Sequence, residues 1–275
     1  LRAAFALFGV KLEPAAIEAL LVESGLWTAF RARPFGKTAI PGKRPKAMFV
    51  TAIDTNPLAP DLSKIVSAMA EAFRVGLECV AKLSGGKTYL CKAPGWDAPV
   101  PASSEIQVEE FDGPHPAGLP GTHIHALAPA GREREVWHIG AQDVIAIGQL
   151  FATGRLDVER IVALGGPAAL RPRLLRTRLG ASLDELTAGE LQKTENRVIS
   201  GSVFHGRSAM GDIHGYLGRY DSQVSALEEG RQREFLGWLA PGAGKFSILP
   251  AFLSYFLPKK SFRFTTSLNG SGRAM

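Results

Sequence analysis

Ala47-Met48-Phe49-Val50-Thr51-Ala52-Ile53, closed by Asp54-Thr55-Asn56-Pro57, is the stretch on which the fold turns. An uncharged apolar run of this length fits a strand buried on both faces, and the polar, proline-containing segment after it ends the strand. From Asp61, an N-cap residue, Ile65, Met69, Phe73, Leu77 and Val80 recur at steps of four, four, four and three, which predicts one helix ending near Gly85-Gly86. Upstream, Ile17, Leu20 and Leu21 mark a helix from Glu13 to Ser24, with Pro14 in its first turn and Gly25 as its stop. Downstream, strands are expected at Lys87 to Lys92 and Glu105 to Phe111, separated by the turn-rich Ala93 to Ser104. Helices alternating with strands predict an α/β region with a mainly parallel sheet.

The segments between these elements read as connections. Trp27 to Lys46 is basic, aromatic and punctuated by Pro34, Gly36, Pro41, Gly42 and Pro45, and Asp112 to Gly121 is rich in Gly and Pro; both are expected to be loops. Ala141 to Thr153 is helical in pattern. After Gly154 the texture changes to short β-like runs at Arg160 to Leu164, Leu174 to Arg178 and Arg197 to Ser202, with a small helix from Ser182 to Leu186 carrying Glu185 in a capping-box position. This second region reads as α+β. Arg231 to Leu239 is a further candidate strand, Phe246 to Leu257 is ambiguous, and Phe262 to Asn269 is rich in Ser and Thr.

The chain has 275 residues, 45% of them hydrophobic and 21% charged, with a net charge of +6. That balance belongs to a folded globular chain and excludes wholesale disorder, collagen or coiled coil. No run approaches the roughly 20 apolar residues of a bilayer-spanning helix. The beginning at Leu1 carries no secretion pattern, so a cytoplasmic location is expected. Cys79 and Cys91 have neither zinc nor redox spacing and are read as packing residues.

His123 and His125 alternate as they would on one strand face, with His115 and His138 near in sequence, but Asp112, Glu133 and Glu135 complete no metal motif, and no metal ligand is assigned. A nucleophile elbow is absent, and Gly242-Ala243-Gly244-Lys245 lacks the first glycine and the Ser/Thr of a phosphate loop, so no catalytic residue is assigned either. The basic cluster Arg31, Arg33, Lys37, Lys43, Arg44 and Lys46 comes with no nucleic-acid recognition module, so nucleic acid is not expected as a partner. Trp27, Phe30 and Phe35 interleave with Arg31, Arg33 and Lys37 around Pro34. Such a loop suits a flat amphipathic ligand with carbonyl oxygens, a quinone for example. From the residues alone, a loop whose aromatics pack under a sheet while its arginines are solvated is the favoured reading.

Glu23-Ser24-Gly25-Leu26-Trp27-Thr28 through Arg33-Pro34-Phe35, Val50 to Ala59, Phe111-Asp112-Gly113-Pro114-His115-Pro116-Ala117-Gly118-Leu119 and Tyr216-Leu217-Gly218-Arg219-Tyr220 closely resemble the A subunit of the bacterial sodium-translocating NADH:quinone reductase (Na+-NQR). The resemblance runs to Phe264-Thr265-Thr266 and Asn269-Gly270-Ser271. It implies a central fragment of a longer protein. The family is related to the C subunit of the Rnf complex and to the NADH- and flavin-binding subunit of complex I. From this follow a Rossmann-like domain over 1–155, an SLBB (ubiquitin-like β-grasp) domain over 156–245, and a C-terminal segment over 246–275.

In the flavin-binding relatives a glycine-rich loop lets backbone amides approach a phosphate. Here Trp27 to Phe35 contains no glycine and Pro114-His115-Pro116-Ala117-Gly118 no carboxylate, so neither flavin nor NADH is expected on this chain, and the relatives' iron–sulfur cysteines have no counterpart. The resemblance implies a peripheral subunit on the cytoplasmic face of the inner membrane, in a complex that oxidises NADH, reduces ubiquinone and exports sodium. Flavins, iron and the ion path belong to other subunits, with the membrane-embedded B subunit the foremost partner. Isolated, the fragment is expected to be inactive. Quinone contact is expected at Trp27, Phe30 and Phe35 on the ring or tail, with Pro34 alongside, and at Arg31, Arg33 or Lys37 near a carbonyl. The alternative is a redox-inactive docking subunit that binds no ligand.

Overall fold

The computed structural model describes residues 13–209, 211–231, 235, 241–244, 252–258 and 266. The chain divides into two compact units, the first running to Ile161 and adding Arg176–Leu179, the second made of Val162–Leu175 and the residues from Gly180 on.

The first unit opens with α1 (Pro14–Glu23), where Pro14 fills a first-turn position whose N–H has no intrahelical partner to lose. Gly25, at φ 78°, turns the chain into a 3₁₀ turn at Leu26–Ala29. Strands β1 (Arg31–Arg33) and β2 (Lys37–Thr38) form a hairpin, followed by β3 (Met48–Ala52). Then come α2 (Leu62–Ala68), α3 (Ala70–Leu83), β4 (Thr88–Lys92), β5 (Ile106–Glu110), α4 (Pro120–Leu127), β6 (Val136–Gly140) and α5 (Ala141–Thr153). The sheet order is β2-β1-β6-β3-β4-β5, with β6, β3, β4 and β5 parallel and β1 antiparallel to β6. From β3 the chain steps outward to β4 and β5, then returns through α4 to place β6 on the other side of β3. The carboxyl ends of β3 and β6 therefore flank a topological switch point, where open α/β sheets form their crevice.

One sheet face packs on α1, α3 and α5 through Ile17, Leu21, Met48, Val50, Phe73, Leu77, Leu90, Trp137 and Ile147. The opposite face carries Phe49, Cys91 and Val136 under Ile124 of α4. Both cysteines are buried and free, and burial pushes both thiols up, as packing residues require.

The second sheet has the order β10-β9-β11-β7-β8, built from β7 (Glu159–Gly165), β8 (Arg173–Arg178), β9 (Asn196–Ser200), β10 (Arg207–Ser208) and β11 (Gln223–Glu228). β11 runs parallel to β7 and antiparallel to β9, a mixed α+β arrangement. Helix α6 (Leu183–Thr187) is capped by Ser182, whose hydroxyl accepts from Glu185 N at 3.4 Å, and α7 spans Gly211–His214. The core of this unit holds Val162, Leu164, Leu183, Leu217 and Val224.

The structure corrects several expectations. The predicted helix from Asp61 is two helices: Asp61 caps the first by accepting from Ser63 N, and Met69, at φ −126° and ψ 37°, breaks the run. Met69 packs against the same core as Ile65 and Phe73, so the periodicity of burial carries no trace of the break. The expected loop from Trp27 holds a 3₁₀ turn and two strands too short to show a period of two, and the expected loop to Gly121 gives way to α4 at Pro120. His123 and His125 lie on α4, not on a strand. Two helical steps turn them by roughly 200°, so His123 is buried and His125 exposed. Strands β6 and β11 escaped sequence reading because His138 interrupts the first and Gln223 and Ser225 the second, although all three are wholly or largely buried. Most of Arg231 to Leu239, Phe262 to Asn269 and the first part of Phe246 to Leu257 lie outside the described residues; Leu253–Phe256 is a 3₁₀ turn.

Candidate functional site

The β1–β2 hairpin and the switch-point crevice adjoin at the start of α4. Their side chains sort by strand alternation. On β1, Ala32 turns to the α1/α3/α5 face, which puts Arg31 and Arg33 on the α4 face. Arg31 is in register with His138 and Arg33 with Val136 of β6, so His138 shares the face of the two arginines. Lys37 is the register partner of Ala32 and belongs to the opposite face.

The aromatic residues of this segment separate in the same way. Trp27 and Phe30 are buried at 4% and 0% exposure, and with Trp137 they form a cluster with ring centroids 5.1, 5.7 and 6.0 Å apart. Trp27 Nε1 donates to Ala39 O at 2.8 Å, which satisfies its only polar side-chain atom. Phe35, at the hairpin turn, is 77% exposed, and Pro34 beside it is also exposed. The seven residues therefore occupy three places: Trp27 and Phe30 in the core, Arg31 and Arg33 half-buried on the α4 face, and Pro34, Phe35 and Lys37 at the exposed edge.

Next to the arginines lie two neutral imidazoles. His138 is pushed down to about 4 by burial and by Arg33, Arg31 and His123. His123, pushed down to about 4 by burial, has Nε2 2.9 Å from Ala117 O and its ring 4.2 Å from that of Phe111. Arg33 reaches α4, where its Nη2 lies 3.3 Å from the place a Cβ on Gly121 would take.

The crevice after β3 is ordered by side chain to backbone bonds. Asp54 Oδ1 accepts from Asn56 N at 2.9 Å and from Asn56 Nδ2 at 2.7 Å, an Asx-type turn. Thr55 Oγ1 accepts from Gly118 N at 2.9 Å and lies 3.4 Å from His115 Nδ1, which ties this loop to the Phe111 to Leu119 segment. Gly118 is required there, since a Cβ would fall 2.5 Å from Thr55 N. Leu58 holds φ 64°. Sequence reading passed over the contributions of His138, Thr55 and Asn56. Only the helix–strand alternation, which locates a switch point, could have signalled them.

Residues 12–156 match the family model for the NqrA second alpha/beta domain, and residues 161–211 that for the NQRA C-terminal domain, of SLBB type. The A subunit of the Na(+)-translocating NADH-quinone reductase from Cellvibrio japonicus is 56% identical over 255 residues, covering 93% of this chain and 57% of the relative. The Neisseria gonorrhoeae protein of the same name is 52% identical over 265 residues, covering 96% and 59%. The chain thus spans a little over half the length of these relatives. Among solved structures, an NAD+-reducing [NiFe]-hydrogenase in the air-oxidised state shares the fold with a TM-score of 0.54 at 15% identity, over 83% of this chain and 49% of that one. With more than half its residues matched by one family model, a Rossmann-like α/β region and an SLBB region in sequence, this chain belongs to the NqrA family, that of the A subunit of the Na(+)-translocating NADH-quinone reductase.

Proposed function

We propose that the chain serves as a peripheral, cytoplasmic-face part of a Na(+)-translocating NADH:quinone reductase, in which NADH oxidation and ubiquinone reduction drive sodium export, and that it contributes a quinone contact at the β1–β2 hairpin. The observation that carries the quinone reading is the exposed Phe35 and Pro34 beside two half-buried arginines. An apolar ring face and guanidinium donors for carbonyl oxygens are what a quinone head needs. Flavins and the NADH site belong to other subunits in this reading. The segment between Leu26 and Phe30 is filled with core side chains where backbone would have to approach a phosphate. No described helix is long and apolar enough to cross a membrane, which fits a peripheral position on membrane partners such as the B subunit.

The burial of Trp27 and Phe30 favours a second reading, a docking subunit without a ligand, because two of the aromatics are committed to the core. Titrating the protein with a short-tail ubiquinone while following tryptophan fluorescence separates the two. A quinone contact gives saturable quenching that weakens in Phe35→Ala with the fold intact. The docking reading gives no saturable change, while hairpin variants reduce retention of the chain on the assembled complex.

A further inference from the structure

Four large apolar side chains stand out from one short turn of the second unit. Leu253, Tyr255, Phe256 and Leu257 are all exposed, Tyr255 at 65% and Phe256 at 74%, and the two rings meet edge to face with centroids 5.2 Å apart. The turn is firmly seated. Phe252, just ahead of it, is buried, Leu253 N donates to Pro241 O at 2.7 Å, and Tyr255 N donates to Phe252 O at 3.1 Å. Gly242, at φ 67°, makes room for the Phe252 ring, since a Cβ there would fall 2.5 Å from Phe252 Cδ1. Ser254 is buried as well. The segment thus commits Phe252 and Ser254 to the fold and presents the other four side chains to the outside.

Charge is distributed unevenly around this turn. From Phe235 to Met275 the sequence has Lys245, Lys259, Lys260, Arg263 and Arg273 and no Asp or Glu, so these 41 residues hold five of the chain's six net positive charges. Lys259 and Lys260 follow the turn directly after Pro258. Single exposed apolar residues are ordinary on a protein surface, but rings and leucines clustered beside acid-free cations have the composition of a segment that seats at the headgroup boundary of a bilayer. Rings and leucines enter the acyl edge, while ammonium groups are drawn to the negative potential of anionic lipid. Lysine is depleted at protein–protein interfaces, where arginine makes the paired, planar contacts. Diffuse headgroup charge asks for no fixed pairing geometry, so Lys259 and Lys260 beside the turn favour lipid over a protein partner.

We propose that the turn at Leu253–Leu257, with the cations that flank it in sequence, seats this chain on the surface of an anionic phospholipid bilayer. The contact rests on the peripheral position proposed above and names the surface on which the chain sits. Vesicles test the lipid contact, and retention on the assembled complex tests the position, so the two can fail separately.

The protein is sedimented with phosphatidylcholine vesicles, with and without phosphatidylglycerol. Seating of the turn gives retention on the anionic vesicles about tenfold or more above that on phosphatidylcholine alone. Tyr255→Ser combined with Phe256→Ser lowers this retention about tenfold or more, as expected when two rings lose an apolar setting. Lys259→Gln combined with Lys260→Gln removes most of the preference for anionic lipid, and added salt weakens it in the parent protein. Ile213→Ser, which removes another exposed apolar side chain of the same unit, leaves retention unchanged. Phe256→Trp reads insertion directly: bromine-labelled lipid quenches its fluorescence beyond the quenching of the four native tryptophans. This variant also decides the case in which the serine pair does not fold. Equal retention on both vesicle types, retention unaltered by a folded serine pair, or no added quenching in Phe256→Trp overturns the proposal. No vesicle binding by the parent, with loss of the serine pair from the assembled complex, overturns it and assigns the turn to a protein partner.

Discussion

Gly76 of α3 and Gly148 of α5 meet where the two helices cross. A Cβ on Gly148 would fall 1.7 Å from Ala72 O, and one on Gly76 would fall 1.9 Å from Val144 O. The helices touch backbone to backbone, and this crossing holds α3 and α5 together over the face of the sheet that buries Trp137 and Ile139. Gly148→Ala cannot be absorbed by a rotamer change, because the atoms it meets are main-chain carbonyls. The substitution gains up to about 1 kcal/mol of helix propensity yet is expected to destabilise by about 3 kcal/mol or more through forced separation of the helices. Urea denaturation should show the fall in midpoint.

Trp27→Ala and Phe30→Ala each remove a fully packed ring from the cluster around Trp137, and are expected to cost about 3–5 kcal/mol. Phe35→Ala, at an exposed turn, should change stability by no more than about 0.5 kcal/mol. Thermal denaturation of the three variants checks the assignment of core against surface. A strong loss in Phe35→Ala would show that the hairpin turn is packed.

Arg160 and Asp143 form a buried ion pair, with Arg160 Nη2 donating to Asp143 Oδ1 and Nη1 to Glu159 O at 3.1 Å. Removing either partner strands the other charge in the interior, so Asp143→Ala is expected to cost about 3–5 kcal/mol. A double replacement by apolar residues of similar volume should recover most of that loss, and a double-mutant cycle measures the difference.

His123 links stability to acidity. Its folded form resists protonation until about pH 4, whereas in the unfolded chain it titrates near 6.5. The unfolded state therefore binds the proton first. The contribution is complete above about pH 6.5, declines as pH falls towards 4 and levels off below that, a change of about 3 kcal/mol. His138 acts in the same direction. Stability measured from pH 7.5 to 4 should fall less steeply in His123→Asn than in the parent protein.

Ala47 to Ile53 and the stripe from Ile65 to Val80 were enough to assign a mainly parallel α/β region, because burial on both faces of a strand and on one side of a helix leaves a compositional trace. The helix at Ala141–Thr153, the Asp61 cap and the Ser182 cap were legible for the same local reason. Long-range pairing was not legible. Strand β6 is short and interrupted by His138, and only its position between β1 and β3 makes it a strand. The same holds for the Trp27–Lys37 segment. Composition showed that aromatics and cations alternate there, and left open whether they converge on a ligand or part across a sheet. Strand alternation on β1 and its register with β6 part them, sending Trp27 and Phe30 to the core and gathering Arg31, Arg33 and His138 on the opposite face. Local residue pattern therefore determined the class of the fold and the chemistry available in the hairpin. Which of those groups share a surface was decided by tertiary pairing, since the side a side chain takes depends on register with a strand about a hundred residues away.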